Sequence, residues 1–172
     1  MHAVPVHDPL GRLIEGRFGV LADGATAVVE TAEASGLARL NAEERNPLIA
    51  SSYGTGELLL AAARLGVRRI IVGLGGSATN DAGAGLLQSL GVRLLDANGD
   101  ELGRGGAALA DVSVIDITTM DPDIGNVSII AACDVTNPLT GPTSASAVFG
   151  PQKGPAPMMS PRWTPPWRIS RV

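Results

Sequence analysis

Short apolar segments alternate along the chain with turns rich in glycine, aspartate and asparagine. Residues 12–21 and 26–30 alternate apolar and polar side chains on either side of a turn at Asp23-Gly24. This pattern predicts a hairpin or two adjacent strands, because alternation is typical of strands with one buried face. Residues 30–36 predict a short helical turn, ended by a glycine.

The centre of the chain alternates helical and extended patterns. Strong helix formers predict a helix over residues 56–65, and a β-branched run predicts a buried strand over residues 69–72. A helix over residues 82–90, a strand over 92–95 and a third buried strand over 127–133 follow. This order predicts an α/β fold in which flanking helices cover a mainly parallel sheet with right-handed crossovers.

Composition narrows the class of protein. Of 172 residues, 45% are hydrophobic and 17% charged, which is typical of a globular chain, and the 3% of aromatics predicts a core of Ala, Val, Leu and Ile. The net charge of −4 and the lack of a basic cluster argue against a nucleic-acid partner. No apolar run is long enough to predict a membrane span. A single cysteine, Cys133, predicts a cytoplasmic protein without an internal disulfide.

One glycine-rich stretch carries the first candidate chemistry, Gly73-Leu74-Gly75-Gly76-Ser77-Ala78-Thr79-Asn80-Asp81. It predicts a strand that leads into a helix beginning near Thr79, whose free N–H groups would attract an anion. Ser77 and Thr79 can donate hydroxyls, while Asn80 and Asp81 can bind substrate hydroxyls or magnesium. The alternative is a plain strand-to-helix turn whose glycines serve only packing. No lysine follows the glycines, so this is not a Walker A loop.

Two further segments follow later in the chain. Cys133-Asp134-Val135-Thr136-Asn137-Pro138-Leu139 comes at the carboxyl end of a predicted buried strand, where α/β sheets bind ligands. Asp134 could hold magnesium or accept a proton, Asn137 could orient a ligand, and Cys133 is expected to be an inert core thiol. The alternative for this segment is an Asx-type turn. Lys153, between glycines, could contact a phosphate, although a solvated surface lysine is the alternative.

Four segments together resemble the bacterial-type glycerate kinase family in their order and spacing: Gly54-Thr55-Gly56-Glu57-Leu58, Gly75 to Asp81, Cys133 to Leu139, and Phe149-Gly150-Pro151-Gln152-Lys153-Gly154. The resemblance covers residues 4–154. It implies a two-domain glycerate-kinase-like architecture with the active site in the cleft between two α/β domains. It also implies phosphorylation of D-glycerate by ATP with Mg²⁺, usually at the 2-hydroxyl to give 2-phosphoglycerate.

Motif position and side-chain chemistry predict roles for particular residues within such a kinase. Asp134 and Lys153 are the candidate catalytic residues, and Asp134 is also the candidate metal ligand. The candidate substrate-binding residues are Gly75, Gly76, Ser77, Thr79, Asn80, Asp81 and Asn137. Ala82 and Ser144 depart from the family, which usually carries glycine at both positions.

The segment after residue 154 differs in composition from the rest of the chain. Residues 155–172 hold five prolines (Pro155, Pro157, Pro161, Pro165 and Pro166) and both tryptophans, without periodicity. GC-rich back-translation of residues 158–170, read two bases later, gives an amphipathic peptide similar to the family's continuation. We therefore expect residues 1–154 to form an incomplete kinase domain and residues 155–172 to be a disordered, frameshifted tail. An isolated fragment would then be inactive, and the alternatives are an inert truncated product or a non-enzymatic anion-binding module.

Overall fold

The computed structural model describes residues 1–139 and 141–154. Its strands are β1 (His2–His7), β2 (Leu13–Val20), β3 (Thr26–Glu30), β4 (Arg69–Gly73), β5 (Arg93–Leu95), β6 (Val114–Asp116) and β7 (Ser128–Ala132). Its α-helices are α1 (Thr31–Ser35), α2 (Tyr53–Ala63), α3 (Ala84–Ser89), α4 (Pro122–Gly125) and α5 (Ala145–Phe149). Short 3₁₀ helices lie at Leu37–Arg39, Gly106–Asp111 and Pro151–Lys153.

Five strands form the main sheet in the order β1-β2-β3-β4-β7. The pairs β1–β2 and β2–β3 are antiparallel, whereas β3–β4 and β4–β7 are parallel. The α/β class predicted from the sequence is confirmed, with a sheet that is mixed. The helices predicted over residues 56–65 and 82–90 correspond to α2 and α3.

Helix α2 packs against the sheet and the other helices. Leu58 and Leu59 are almost completely buried and join Val6, Ile70 and Val29 in the main core, which consists largely of Ala, Val, Leu and Ile as the composition predicts. At about 25 cal/mol per Å² of buried apolar surface, such leucines contribute about 2 kcal/mol each. Small residues on α2 allow close approach to neighbouring elements: a Cβ on Gly54 would collide with the carbonyl oxygen of His7.

Two strand predictions need correction. The strand predicted over residues 92–95 corresponds to β5 (Arg93–Leu95), but β5 pairs antiparallel with β6 in a separate two-stranded sheet and is not part of the main sheet. The strand predicted to be buried at residues 127–133 is the exposed edge strand β7, on which Ile129 and Ile130 remain 44% and 45% exposed. Since successive residues of a strand point to opposite faces, neither face of β7 is covered within the described residues.

The first strand was not predicted. Residues 2–7 form β1, in which Val6 is fully buried and His7 is half-buried beside Glu57. The expected tail, residues 155–172, lies outside the described residues, so its predicted disorder and the proposed domain boundary stay predictions.

Candidate functional site

Four strands of the main sheet end at the same edge. Strand β1 runs antiparallel to β2, and β2 runs antiparallel to β3, so β1 points in the same direction as β3, β4 and β7. In the parallel ladders Glu30 lies opposite Gly73, and Gly73 lies opposite Ala132. The segments that follow β4 and β7 therefore begin side by side, at the edge where α/β sheets bind ligands.

The glycine-rich segment after β4 is a loop held by backbone hydrogen bonds to the last residue of α1 and to the turn that follows it. The Leu37 N–H donates to the carbonyl oxygen of Gly76 at 2.8 Å, and the Ala78 N–H donates to that of Ser35 at 2.9 Å. The Ser77 and Thr79 hydroxyl oxygens lie 2.8 Å apart, and the Ser77 oxygen also accepts the Thr79 N–H at 3.0 Å. The two hydroxyl groups are thus hydrogen-bonded to each other within one turn of the loop.

The helix after this loop begins later than predicted. We expected it to begin near Thr79, but α3 begins at Ala84, because Ala82 and Gly83 take left-handed backbone angles of φ +51° and +78°. Two N–H groups at its start, those of Gly83 and Gly85, each donate to the Asp81 carboxylate at 3.2 Å. The Asp81 carboxylate of the chain itself therefore accepts hydrogen bonds from N–H groups at the start of this helix, while the anion site of the preceding loop stays a prediction.

Asp81 joins the starts of two helices. Its buried Oδ2 also accepts the Ser52 N–H and the Ser52 hydroxyl, each at 2.8 Å. The Ser52 oxygen in turn accepts the Leu86 N–H at 3.0 Å. The Asp81 carboxylate thus accepts hydrogen bonds from four donors of the chain. These bonds hold the starts of the two helices together, which is a structural role. Sequence reasoning missed Ser52, because nothing in the local pattern pairs it with a residue 29 positions later.

Lys153 lies against the same loop. Its ammonium group donates to the carbonyl oxygen of Thr79 at 2.5 Å. Burial lowers the pKa of Lys153 below its usual value of 10.5, and the charge of Asp81 partly opposes this by favouring the ammonium form. Nearby, the Ser146 hydroxyl donates to Oδ1 of Asn80 at 2.9 Å. The structure therefore places Lys153 against Thr79 and Ser146 against Asn80, and Lys153 is half-buried rather than a solvated surface lysine.

The residues directly after β7 are exposed to solvent. Asp134 is exposed and makes no hydrogen bond or ion pair with the residues that the structure describes. The Asn137 amide donates to the carbonyl oxygen of Thr143 at 2.9 Å. Cys133 is exposed rather than a core thiol, because β7 is an edge strand, and its Sγ donates to the carbonyl oxygen of Val135 at 3.3 Å.

Asp134 suits a magnesium ion that arrives with a nucleotide. Within residues 1–139 and 141–154, no three His, Cys, Asp or Glu side chains are grouped to hold a metal ion by themselves. Mg²⁺ is commonly bound by one or two carboxylates together with substrate phosphates. A single free carboxylate at the carboxyl edge of the sheet fits that mode of binding, whereas a resident metal centre would need more protein ligands.

Two cavities share Tyr53 and Arg104 in their linings. The smaller, of about 290 Å³, is lined by Asp8, Pro9, Leu10, Gly11, Ile49, Ser51, Tyr53 and Arg104. The larger, of about 600 Å³, extends from Tyr53 and Arg104 along α3 and β5. None of the predicted site residues lines either cavity. The missed signal in the sequence is Gly103-Arg104-Gly105-Gly106, a cationic residue between glycines, like Lys153.

The helices in the described parts of the chain are short. Among them, none has the length and apolar character that a membrane span requires.

Comparison with known proteins gives consistent matches. The profile described as "Glycerate kinase family" matches residues 1–163. The chain is 54% identical over 149 residues to the glycerate kinase of Bacillus subtilis (strain 168) and 52% identical over 149 residues to the glycerate 2-kinase of Escherichia coli (strain K12). Each match covers 87% of this chain but 39% of the relative.

A solved structure agrees with these relatives. A crystal structure named for glycerate kinase 2 from Salmonella typhimurium LT2 superimposes with a TM-score of 0.89 at 48% identity. The match covers 94% of this chain and 43% of that one. The chain thus spans about two fifths of the length of the proteins it matches.

Proposed function

The chain belongs to the glycerate kinase family, and on that premise we propose that it supplies part of the active site of an ATP-dependent kinase acting on D-glycerate. The reaction would transfer the γ-phosphoryl group of ATP to a hydroxyl of glycerate, giving 2-phosphoglycerate. The proposal rests on the relatives' names and on the geometry of one sheet edge. We also propose a cytoplasmic location, supported by the use of ATP and by the single cysteine.

The register of β4 against β7 is the observation that carries this proposal. Gly73 and Ala132 lie opposite each other, so the loop with Ser77 and Thr79 and the segment with Asp134 start from adjacent strands. Lys153 contacts the first of these segments, because its ammonium group donates a hydrogen bond to the Thr79 carbonyl oxygen. A hydroxyl-bearing loop, a free carboxylate and a lysine are the groups that phosphoryl transfer uses for positioning and for charge stabilisation.

Each group has a proposed role. Asp134 would accept the proton of the attacking glycerate hydroxyl or hold Mg²⁺, which supplies positive charge against the phosphate oxygens when bound. Lys153 would add positive charge near the transferred phosphoryl group. The loop from Gly75 to Asp81 and the Asn137 amide would position glycerate. Because Asp81 already has four donors, we propose that it acts by fixing this loop.

The experiment that tests the role of Asp134 uses a full-length relative. We expect the substitution corresponding to Asp134→Asn to lower kcat about 100- to 10,000-fold, since it removes a general base or metal ligand. Coupled release of ADP in the presence of D-glycerate measures this. Near-normal turnover would remove Asp134 from the mechanism. As a control for folding, Asp134→Asn in the present chain should leave the urea midpoint unchanged, because Asp134 is exposed and without described partners.

The same assay applies to the 172-residue chain alone. We expect no glycerate-dependent ADP release, because holding two substrates in reactive geometry supplies about 7–11 kcal/mol and needs both walls of the cleft. Clear turnover would show that this chain contains a complete site.

A further inference from the structure

The smaller cavity lies at the same sheet edge as the proposed site. It is bounded by the turn that follows β1, Asp8 to Gly11, and by residues just before α2, Ile49 and Ser51. At about 290 Å³ it lies at the small end of ligand cavities, which run from about 300 to 1,000 Å³. Its size therefore favours a small metabolite over a nucleotide.

Arg104 lines this cavity and is held in position from two sides. Its guanidinium carbon lies 3.4 Å from the centre of the Tyr53 ring, a cation–π contact. The backbone after it is close to neighbouring loops, since a Cβ on Gly105 would lie 2.8 Å from the Ile49 backbone and one on Gly106 would lie 2.6 Å from the Asn80 carbonyl oxygen. The loop that carries Arg104 is thus packed directly against the proposed substrate loop.

The two carboxylates that share a cavity lining with Arg104, those of Asp8 and Glu101, already have partners, as does Glu57 on α2. Asp8 pairs with Arg12 at 2.5 Å and Glu101 pairs with Arg93 at 2.7 Å. Glu57 accepts the backbone N–H of His7 at 2.7 Å, and its other oxygen lies 2.8 Å from the His7 ring. Arg104 itself makes no ion pair with any residue in the described part of the chain. A positioned guanidinium group without a counter-ion therefore lines a small cavity.

We propose that Arg104, supported by Tyr53, binds the carboxylate of a small hydroxy acid in this cavity. The identification of that acid with D-glycerate rests on the proposed function. A guanidinium group can donate two parallel N–H bonds to one carboxylate, and stacking on an aromatic ring holds its plane in place. Arg104 would then fix the acid end of the substrate, on a loop that contacts the segment from Gly75 to Asp81 at Asn80.

Calorimetric titration of the 172-residue chain with D-glycerate tests this. Arg104→Gln should weaken binding about 10- to 100-fold, since bonds to a charged group contribute about 1.5–3 kcal/mol. Arg104→Lys keeps the charge without the planar fork and should lose less. The matched control is Arg68→Gln, which removes an exposed arginine just before β4, at the opposite end of the sheet. The Arg68→Gln variant should bind D-glycerate as tightly as the unmodified chain does. If the Arg104→Gln variant also binds D-glycerate within twofold of the unmodified chain, the proposal is overturned.

Three further titrants separate this inference from the proposed function. Glycerol should not bind, because it lacks the carboxylate, and inorganic phosphate should bind more weakly than glycerate. Lactate tests the carboxylate site separately from the substrate. If lactate binds, if Arg104→Gln weakens that binding, and if glycerate does not bind, the carboxylate site is supported but glycerate is not the substrate. Glycerate binding that is unaffected by Arg104→Gln would overturn the site and leave the kinase proposal standing. Absence of binding by glycerate and lactate alike would overturn the site.

Discussion

Ala82 takes a backbone conformation that suits glycine. Its φ of +51° lies in the left-handed region, where a Cβ costs about 1–2 kcal/mol, and the family resemblance places glycine here. Ala82 is exposed, so its side chain contributes little packing to offset this strain. The strained residue lies directly after Asp81, whose hydrogen bonds to Gly83 and Gly85 fix the turn.

Ala82→Gly should therefore stabilise the chain. We expect a gain of about 0.5–1 kcal/mol in the free energy of unfolding, less than the full strain because glycine also gains freedom in the unfolded chain. Urea denaturation measures it. The reciprocal control is Gly83→Ala, at φ +78° with open space around the new Cβ, which should cost about 1 kcal/mol. No gain from Ala82→Gly would show that the strain is relieved in another way.

The sequence identified some residues of the candidate site but not the contacts that they make. The pattern identified both Asp81 and Asp134 as candidate ligand groups, yet Asp81 is saturated by Ser52 and by the start of α3, while Asp134 has no described partner. The difference depends on a contact across 29 positions, which no local pattern contains. Arg104 was missed for the same reason, since Tyr53 and Ile49 give it its position.

At the scale of elements, helices α2 and α3 approach closely through small residues. A Cβ on Gly56 would lie 1.9 Å from the Ser89 hydroxyl oxygen and 2.5 Å from the Leu86 carbonyl oxygen. On the facing helix, a Cβ on Gly85 would lie 2.1 Å from the Ser51 hydroxyl oxygen. Gly56 is thus explained by the packing of α2 on α3, and the same approach brings Ser52 within reach of Asp81 and Leu86.

Gly56→Ala should force these helices apart. We expect a loss of about 1–3 kcal/mol in the free energy of unfolding, because overpacking a tight contact shifts the backbone. Thermal or urea unfolding followed by circular dichroism gives the value. Gly125→Ala, in α4 with open space around the new Cβ, is the matched control and should change stability by less than about 0.5 kcal/mol. Equal effects of the two substitutions would contradict a specific contact between α2 and α3.

Element type was predictable where the pattern was long, but strand pairing was not. The sequence predicts β2, β3, β4, α2 and α3 close to their observed bounds, since each has a clear apolar period or strong helix formers. A three-residue strand such as β5 does not reveal its partner, which is β6 some twenty positions later. The apolar run of β7 predicted a buried strand, whereas β7 is exposed. Burial depends on which residues cover the strand, and the local sequence does not contain that information.

At the scale of the molecule, β7 leaves one side of the main sheet open. Its outer row of backbone N–H and C=O groups faces no other strand of the described chain, and Ile129 and Ile130 are both exposed. An apolar edge strand of this kind is a template for pairing with another chain. The fold class was predictable from the order of elements, whereas this open edge was not, because it follows from which strands are neighbours.

We expect the chain to self-associate through β7 as its concentration rises. Ile130→Lys should shift the distribution towards monomer in sedimentation velocity experiments, because a charge on an edge strand opposes pairing. Leu65→Lys is the control, since it replaces an exposed apolar residue just after α2, away from this edge. A distribution that Ile130→Lys leaves unchanged would show that association, if it occurs, uses another surface.

The contacts that hold Lys153 and Ser146 against the loop after β4 also bear on the order of folding. The hydrogen bond from Lys153 joins residues 74 positions apart, and that from Ser146 to Asn80 joins residues 66 apart. Contacts so distant in sequence close late, because the intervening chain must first be confined. During synthesis the hairpin of β1 and β2 can form long before residue 153 leaves the ribosome. We therefore expect these two contacts to form late and to open early, so amide hydrogens at residues 77–81 should exchange faster than those of β3 and β4.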